Sequence, residues 1–582
     1  MAAIATEVVP DIDVLVVGGG IAGCFAAIKA KASGAKKVVQ LDKGHAGKSG
    51  NSAFGAGVMH VLLPDETEDD LGDRLRRLVR AQSFIVQQDL FLDHLEQSWG
   101  IVQDLEKWGV EFERTAEGNI EPGPGRGAHD IIMFHGPQMM HALMKAAAKM
   151  GVQQMNRVMT TDLLTNDGRV MGAVGFNIRD GRFFIFKAKA TVLATGSTWY
   201  KGLLPAHRDC TGDGYAVAYR AGAVLRGAEN NDQVSHAMPA RYDIGPGLNM
   251  FQGLGGKWLN AQGERFMEKY NPTLKDRAGL RNIMYAFILE IKQGHGPIFM
   301  DMTHFTPDQV QRMRKVIPLP TRMFERAGII VGDRIVQKVE WMLCPPTGRP
   351  GVMVNRKFEA SLPGLYACGE ATGSSAVVTG LSSAATSGAT AGSNAARFAA
   401  DIDDPVIEKN QADELKQNLF APLKRKDGFL PEQIVLTMQE NIIPYDIALL
   451  RKKDRMEKAL SNIEYARDNY LPEIKAYDFH FLKNAHEAAN ILFVAEVQLK
   501  TSLMRTESRV ALREDYPYTD NENWLKFIEL KRENGNMALS TRPVPIEEYP
   551  LKVERKRGLH YIWQLAQRLG IITLEKGEIK WV

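Results

Sequence analysis

The chain has 582 residues, which excludes a small module and predicts three or four domains at about 150 residues each. Apolar residues make up 45% and charged residues 24%, the composition of a folded globular chain rather than a disordered one. Seventy-two basic against 69 acidic residues leave a formal +3, so no polyelectrolyte partner such as a nucleic acid is implied.

Met1 to Asp13 carries no basic leader and no twin arginine, and the apolar run Val14–Val17 is strand-length, too short for a signal core. No stretch approaches the roughly 18 uninterrupted apolar residues of a membrane span. The expected location is cytoplasmic, with membrane association only through partners. Residues 11–23, DIDVLVVGGGIAG, run a buried strand into Gly18-Gly19-Gly20-Ile21-Ala22-Gly23 and then a small-residue helix. This is G-x-G-x-x-G between strand and helix, where glycine lets the backbone approach a pyrophosphate and the helix N-terminus supplies N–H donors. A second strand, Lys37–Leu41, ends in Asp42, 19 residues past Gly23, where the acceptor for a ribose hydroxyl belongs. Dinucleotide binding follows.

The polar, small segment Lys48-Ser49-Gly50-Asn51-Ser52-Ala53-Phe54-Gly55 would let backbone pack against a planar ring. Thr67 with Asp70 opens a helical stretch that continues to Trp108 and stops at Gly109; another helix, Gln138 to Met150, stops at Gly151, with Met139, Met140 and Met144 as its core stripe. Residues 158–193 alternate short strands with Asn166-Asp167-Gly168 and Asp180-Gly181 turns, a β-meander that ends in Thr191-Val192-Leu193-Ala194-Thr195-Gly196. Thr211-Gly212-Asp213-Gly214 opens a helix, residues 231–345 have mixed patterning, and Leu365-Tyr366-Ala367-Cys368-Gly369-Glu370 is a third strand-to-glycine junction before the small-residue helix Ala384–Ala400. Beyond residue 401 glycine is rare and 3.6-residue periodicity dominates, giving a helical bundle over 430–510. Its basic runs read as solvated helix faces. The amphipathic Ile562–Leu569 is expected to pack on the protein's own core. The four cysteines, Cys24, Cys210, Cys344 and Cys368, stand singly. Without a C-x-x-C the chain cannot hold a zinc ribbon or an iron–sulfur cluster, and lone thiols fit a reducing compartment.

Three strand–glycine junctions spread over 370 residues, in the order VVGGGIAG, ATVLATG, TGDG, GERFMEKYNP (263–272), GLYACGEATG (364–373) and MRTESR…REDYP…DNENWLK (504–526), resemble the fumarate reductase/succinate dehydrogenase flavoprotein family over nearly the whole chain. The resemblance implies an α/β fold, α+β overall. Its parts are a Rossmann-like FAD-binding domain (1–230 and 351–400), an inserted α+β capping domain (231–350) and a C-terminal helical domain with a tail (401–582). It implies FAD, held by Gly18, Gly20, Ile21, Ala22, Gly23, Asp42, Lys43, Ser49, Gly50, Asn51, Ser52, Gly55, Ala194, Thr195, Gly196, Asp213, Gly369, Glu370, Ser382 and Ser383. Covalent members carry histidine after the serine of the flavin segment; here Ser49 is followed by Gly50, so non-covalent FAD is expected. The dicarboxylate clamp is also missing. Val378-Thr379-Gly380-Leu381-Ser382-Ser383-Ala384 stands where an arginine and paired glycines would hold a carboxylate, and there is no HPTG.

Within the family the closest resemblance is to the adenylylsulfate reductase alpha (FAD) subunit branch. It rests on Met238-Pro239-Ala240-Arg241-Tyr242 with Gly245-Pro246, Arg281-Asn282, Glu290-Ile291, Gly294 and Gly296-Pro297-Ile298-Phe299-Met300. Arg241 matches the substrate arginine of that branch, Arg281 the family's proton-donor arginine, and His60 falls on the branch's asparagine. Arg281 could otherwise be an ion-pair partner of Asp276. His135, Arg509, Glu340 and Trp341 are secondary site candidates. The implied activity is a two-electron oxidoreductase joining a small anionic substrate to a ferredoxin-like 4Fe-4S subunit in a hetero-oligomer. The alternatives are a reductase or dehydrogenase of an unsaturated or aromatic carboxylic acid, and an electron-transfer module without substrate chemistry of its own. No metal site is expected.

Overall fold

A strand buried on both faces reads as an unbroken apolar run, and Val14–Val17 is one. In the computed structural model it closes β1 (Thr6–Val17), which pairs in parallel with β2 (Val38–Asp42) and with the strand Phe183–Leu193. The structure describes residues 4–54, 57–123, 131–134, 136–202, 208–229, 237–239, 248–343, 347–373, 375–376, 380–553 and 555–582. The sheet runs 153–156, β2, β1, 183–193, 169–177, 158–166, and Leu365–Ala367 also pairs in parallel with 191–193. The 158–193 meander is therefore the antiparallel side of an otherwise parallel sheet.

Register decides what this sheet can do. Val17 lies opposite Leu193, and Leu193 opposite Ala367. The ladder runs on past the strand ends, with Gly18 N–H donating to Leu41 O, Ala194 N–H to Val17 O and Cys368 N–H to Leu193 O at 2.8–2.9 Å. The glycine junctions at 18, 194–196 and 368–369 are thus gathered on one carboxyl-end edge, where open α/β sheets bind ligands.

Helix α1 (Ile21–Ala32) covers one face of this edge together with the long helix Leu381–Ala400. Their small residues let the backbones touch: a Cβ on Gly388 would stand 2.2 Å from Ala22 O, and one on Gly392 would stand 2.1 Å from Ala26 O. The capping segment forms its own sheet (257–259, 298–301, 339–343, 237–239) around the helix Leu280–Lys292, with Trp258 set edge-on to Phe287 and Trp341 at 5.0 and 5.3 Å. Met139 and Met140 are fully buried, as a core stripe should be.

After residue 401 the helices Pro431–Ile442, Lys453–Tyr465 and Phe479–Met504 form the expected bundle. The chain beyond Met504 differs from the expectation of a helical end. Lys526–Glu533 and Asn536–Pro543 form a hairpin that extends a four-stranded sheet with Leu225–Arg226 and Gly351–Val352. Its turn is Asn534-Gly535, both at positive φ (49° and 83°), a hairpin signal not used in reading the sequence. The tail helix Tyr561–Arg568 buries Ile562, Trp563 and Ala566 in the core of the capping segment. Among the described residues no helix is long and apolar enough to cross a membrane.

Gly392→Ala should lower the thermal midpoint, because the atom it meets is backbone of α1 and cannot swing away. A stability loss of about 1–3 kcal/mol is expected from denaturant titration.

Candidate functional site

The first junction is built by backbone constraint. Gly18 has φ +121°, and a Cβ there would stand 2.2 Å from Ala194 O; one on Gly23 would stand 2.0 Å from Gly18 O. Asp42 accepts Gly19 N–H at 2.9 Å and Gly44 N–H at 2.7 Å, so the acidic end of β2 braces the turn. Burial raises the Asp42 carboxyl, and these two amides and the Lys43 charge work against that. Ser52 Oγ accepts Ile21 N–H at 3.1 Å, and Ser49 Oγ accepts His45 N–H at 2.7 Å, which folds the 45–52 segment onto the mouth of α1. Gly20 offers no side chain to cap α1, and among the described residues the amides of Ala22 and Gly23 have no hydrogen-bond partner. They are free donors at the positive end of a helix.

At the second junction Gly196 is at φ +74°, and Thr195 Oγ1 is buried without a hydrogen-bond partner among the described residues. At the third, Gly369 is at φ +62° and donates its N–H to Ser387 Oγ at 2.9 Å. Glu370 accepts Ser197 Oγ–H at 2.7 Å and lies 3.9 Å from the fully buried Arg349, and its main-chain oxygen accepts the Tyr215 hydroxyl at 2.6 Å. Ser382 Oγ donates to His60 O at 2.6 Å, bringing β3 (Val58–His60) to the start of the long helix. Ser383 Oγ reaches Gly380 O at 3.3 Å. Cys210 Sγ sits 3.7 Å from Asn51 Oδ1. Burial pushes its thiol and that of Cys24 up to about 12 and raises Cys368 as well, so no described cysteine is a thiolate nucleophile.

Lys43 and Asp213 engage each other. The Lys43 ammonium donates to Thr211 Oγ1 (2.5 Å), Asp213 Oδ2 (2.8 Å) and Glu487 Oε1 (2.7 Å). Its three donors are spent, so any contact of Lys43 with a cofactor is through its backbone. The other Asp213 oxygen accepts from Thr211 (2.9 Å) and Asn490 (2.8 Å). Glu487 also takes Lys201 at 2.6 Å and Lys483 at 3.4 Å. Burial alone would raise its carboxyl; the charges of Lys43, Lys201 and Lys483 overcome it and hold it at about 2. Nothing local marks Glu487, Ser387, Tyr215 or Ser197 in the sequence, and none was singled out there.

Of the proposed catalytic residues, Arg241 lies outside the described residues, as do Gly55 and His135. Arg281 is partly buried on the first turn of the capping helix, behind Gly279, and makes no hydrogen bond or ion pair among the described residues. Asp276, the partner a structural arginine would need, is taken by Arg265 at 2.5 Å and by Trp258 N–H at 2.9 Å. The Arg281 charge acts on three rings, His560, Tyr285 and Tyr561. Burial, then the Arg281 charge, keep His560 down at about 3, and Tyr561 donates to Asn282 Oδ1 at 2.8 Å. Arg509 is different: it is buried and paired with Glu507. Trp341 belongs to the capping core, and Glu340 lies beside it on the same strand.

Glu487 also governs acid stability. Its folded carboxyl lies below the ordinary 4.5, so its contribution is complete above about pH 4.5 and is lost as the pH falls toward 2. Glu487→Gln should remove that part of the acid limb, read by circular dichroism across that window.

The free amides of α1, the close glycine contacts, the Thr195 hydroxyl without a partner among the described residues and Asp42 at the end of β2 together fit a dinucleotide laid across the three junctions. Comparison with known proteins agrees. The FAD binding domain family matches residues 13–385, and the fumarate reductase flavoprotein C-terminal family matches residues 436–557. The chain is 28% identical over 552 residues to a CoM/CoB fumarate reductase subunit from Methanothermobacter marburgensis, covering 90% of this chain and 97% of that one. Its fold is similar to that of an E. coli quinol fumarate reductase chain (TM-score 0.81, 21% identity, 95% and 99% covered). It is also similar to adenylylsulfate reductase from Archaeoglobus fulgidus (TM-score 0.75, 24% identity, 95% and 98% covered). With its FAD-binding segment and its C-terminal segment both matched in order, the chain belongs to the fumarate reductase/succinate dehydrogenase flavoprotein family and is an FAD-dependent oxidoreductase.

Proposed function

We propose that this chain is the catalytic flavoprotein subunit that passes two electrons between a bound anionic substrate and an iron–sulfur partner subunit, in the manner of adenylylsulfate reductase. The observation that carries the reading is Arg281: a partly buried guanidinium whose charge acts on the His560, Tyr285 and Tyr561 rings, with no hydrogen bond or ion pair among the described residues. A cation left without a counter-charge in a family of oxidoreductases is suited to an anion brought by the substrate.

Bound FAD supplies the two-electron chemistry. In this reading Arg281 and Arg241 hold the anion and balance charge that develops beside the ring, and His60 or Arg281 moves the proton. The α1 amides, Asp42, Thr195 and Glu370 hold the cofactor. The cofactor is held without a covalent bond: residue 50 is glycine at φ +73°, where a histidine side chain would be strained. Because the cysteines stand singly, the clusters that carry electrons onward belong to another chain.

A second reading, reduction of an unsaturated or aromatic carboxylic acid, is favoured by the relative that is named a fumarate reductase. An anaerobic assay with reduced viologen separates them. Adenylylsulfate should be cleaved to sulfite and AMP, its S–O bond to the phosphate breaking as the sulfur takes two electrons. Turnover of enoates with none of adenylylsulfate, nor of sulfite with AMP, selects the second reading. Under either, Arg281→Ala should lower kcat/KM by about 10²–10³, the usual loss for a charge-stabilising group. A module without substrate chemistry would be indifferent to it.

A further inference from the structure

Lys43 is the residue after Asp42, and its ammonium ties separate parts of the FAD site together. Thr211 and Asp213 flank Gly212, whose left-handed backbone (φ +73°) turns the chain into the helix Asp213–Arg220. Gly214 then packs so tightly on the second junction that a Cβ would stand 2.1 Å from Thr195 Oγ1. One tie therefore runs from the Asp42 turn, through Lys43 and Asp213, to Thr195-Gly196. A second tie comes from outside the segment matched by the FAD-binding family. Glu487 and Asn490, one turn apart on Phe479–Met504, hold Lys43 (2.7 Å) and Asp213 (2.8 Å) respectively. Glu487 has no exposed surface, and its further partners Lys201 and Lys483 fix it from other directions.

We propose that Glu487 and Asn490 are positioning residues for FAD: the C-terminal helix sets the affinity of the adenosine end by clamping the Lys43–Asp213 pair. Both act through the turn that aims Asp42 and through the turn that aims Thr195, so the proposal rests on Asp42 as the ribose acceptor. A buried carboxylate separated from its lysines is strongly unfavourable, which makes the clamp closed or open rather than graded. By linkage, FAD must in turn stabilise the docked helix.

The test uses the full-length chain stripped of FAD and reconstituted, with FAD affinity read from quenching of its fluorescence and the adenosine end probed by ADP as competitor. Glu487→Gln and Asn490→Ala should each weaken FAD by about tenfold, an ordinary coupling factor, and weaken ADP by the same factor. Wild-type FAD affinity in both variants overturns the proposal. So does weakened FAD with unchanged ADP, which would place the effect at the flavin end. Asp42→Asn, run alongside, separates the failures: if it leaves ADP binding unchanged, the ribose reading falls and the proposal with it. Should Glu487→Gln not fold, amide exchange of residues 479–504 in the wild type decides. Slower exchange with FAD supports the clamp, and equal exchange overturns it.

Discussion

Everything in this molecule depends on three strand ends being level. Leu193 lies 176 residues after Val17 and 174 before Ala367, and parallel pairing puts the three side by side. A parallel strand has to return to the same end of the sheet before it can pair, so the intervening chain must leave and come back. The first excursion runs from residue 18 to 182 and adds the strands 38–42, 153–156, 158–166 and 169–177 to the same sheet; the second includes the capping segment, which builds a sheet and core of its own. The capping segment is inserted where it is because the third strand still has to join the edge. That single edge then carries free amides, a hydroxyl without a partner and a bracing carboxylate within one region.

The charge distribution follows from the same geometry. A site that receives the pyrophosphate of FAD needs positive potential, yet cations in a folded interior must be satisfied. The chain solves this in two ways. Where position matters more than charge, as at Lys43, Arg505 and Arg513, the cation is locked by carboxylates or carbonyls. Arg281 is the contrast, set among a histidine kept neutral and tyrosines. The difference between the two kinds of arginine is chemical, and separates scaffold from candidate chemistry without reference to position in the sequence.

Much of this was legible beforehand because it is local. The glycine turn with its flanking strand and helix, the second and third junctions, the helical periods after residue 401 and the apolar tail helix each announce themselves within a dozen residues. Asp42 stands at a fixed offset from the glycine turn, whereas Arg281 was pointed to only by the family resemblance. Glu487 could not be found that way, since it sits in an ordinary amphipathic helix and its meaning comes from a lysine 444 residues earlier. The roles of Lys43 and Asp213 shifted for the same reason: their partners are distant. The hairpin at Asn534-Gly535 was readable in principle, but its strands are charged, and only pairing with Leu225–Arg226 explains why they are ordered as strands.

The clamp joining residue 43 to residue 487 has a consequence for synthesis. At about 5–20 residues per second, a ribosome needs roughly 20–90 s to travel from one to the other. For most of that interval the glycine turn, β1 and β2 have been made while Glu487 and Asn490, the groups that clamp Lys43 and Asp213, do not yet exist. The nascent chain therefore spends most of its elongation with an unfinished nucleotide pocket, and the order of events is dictated by where in the gene the helix Phe479–Met504 is encoded.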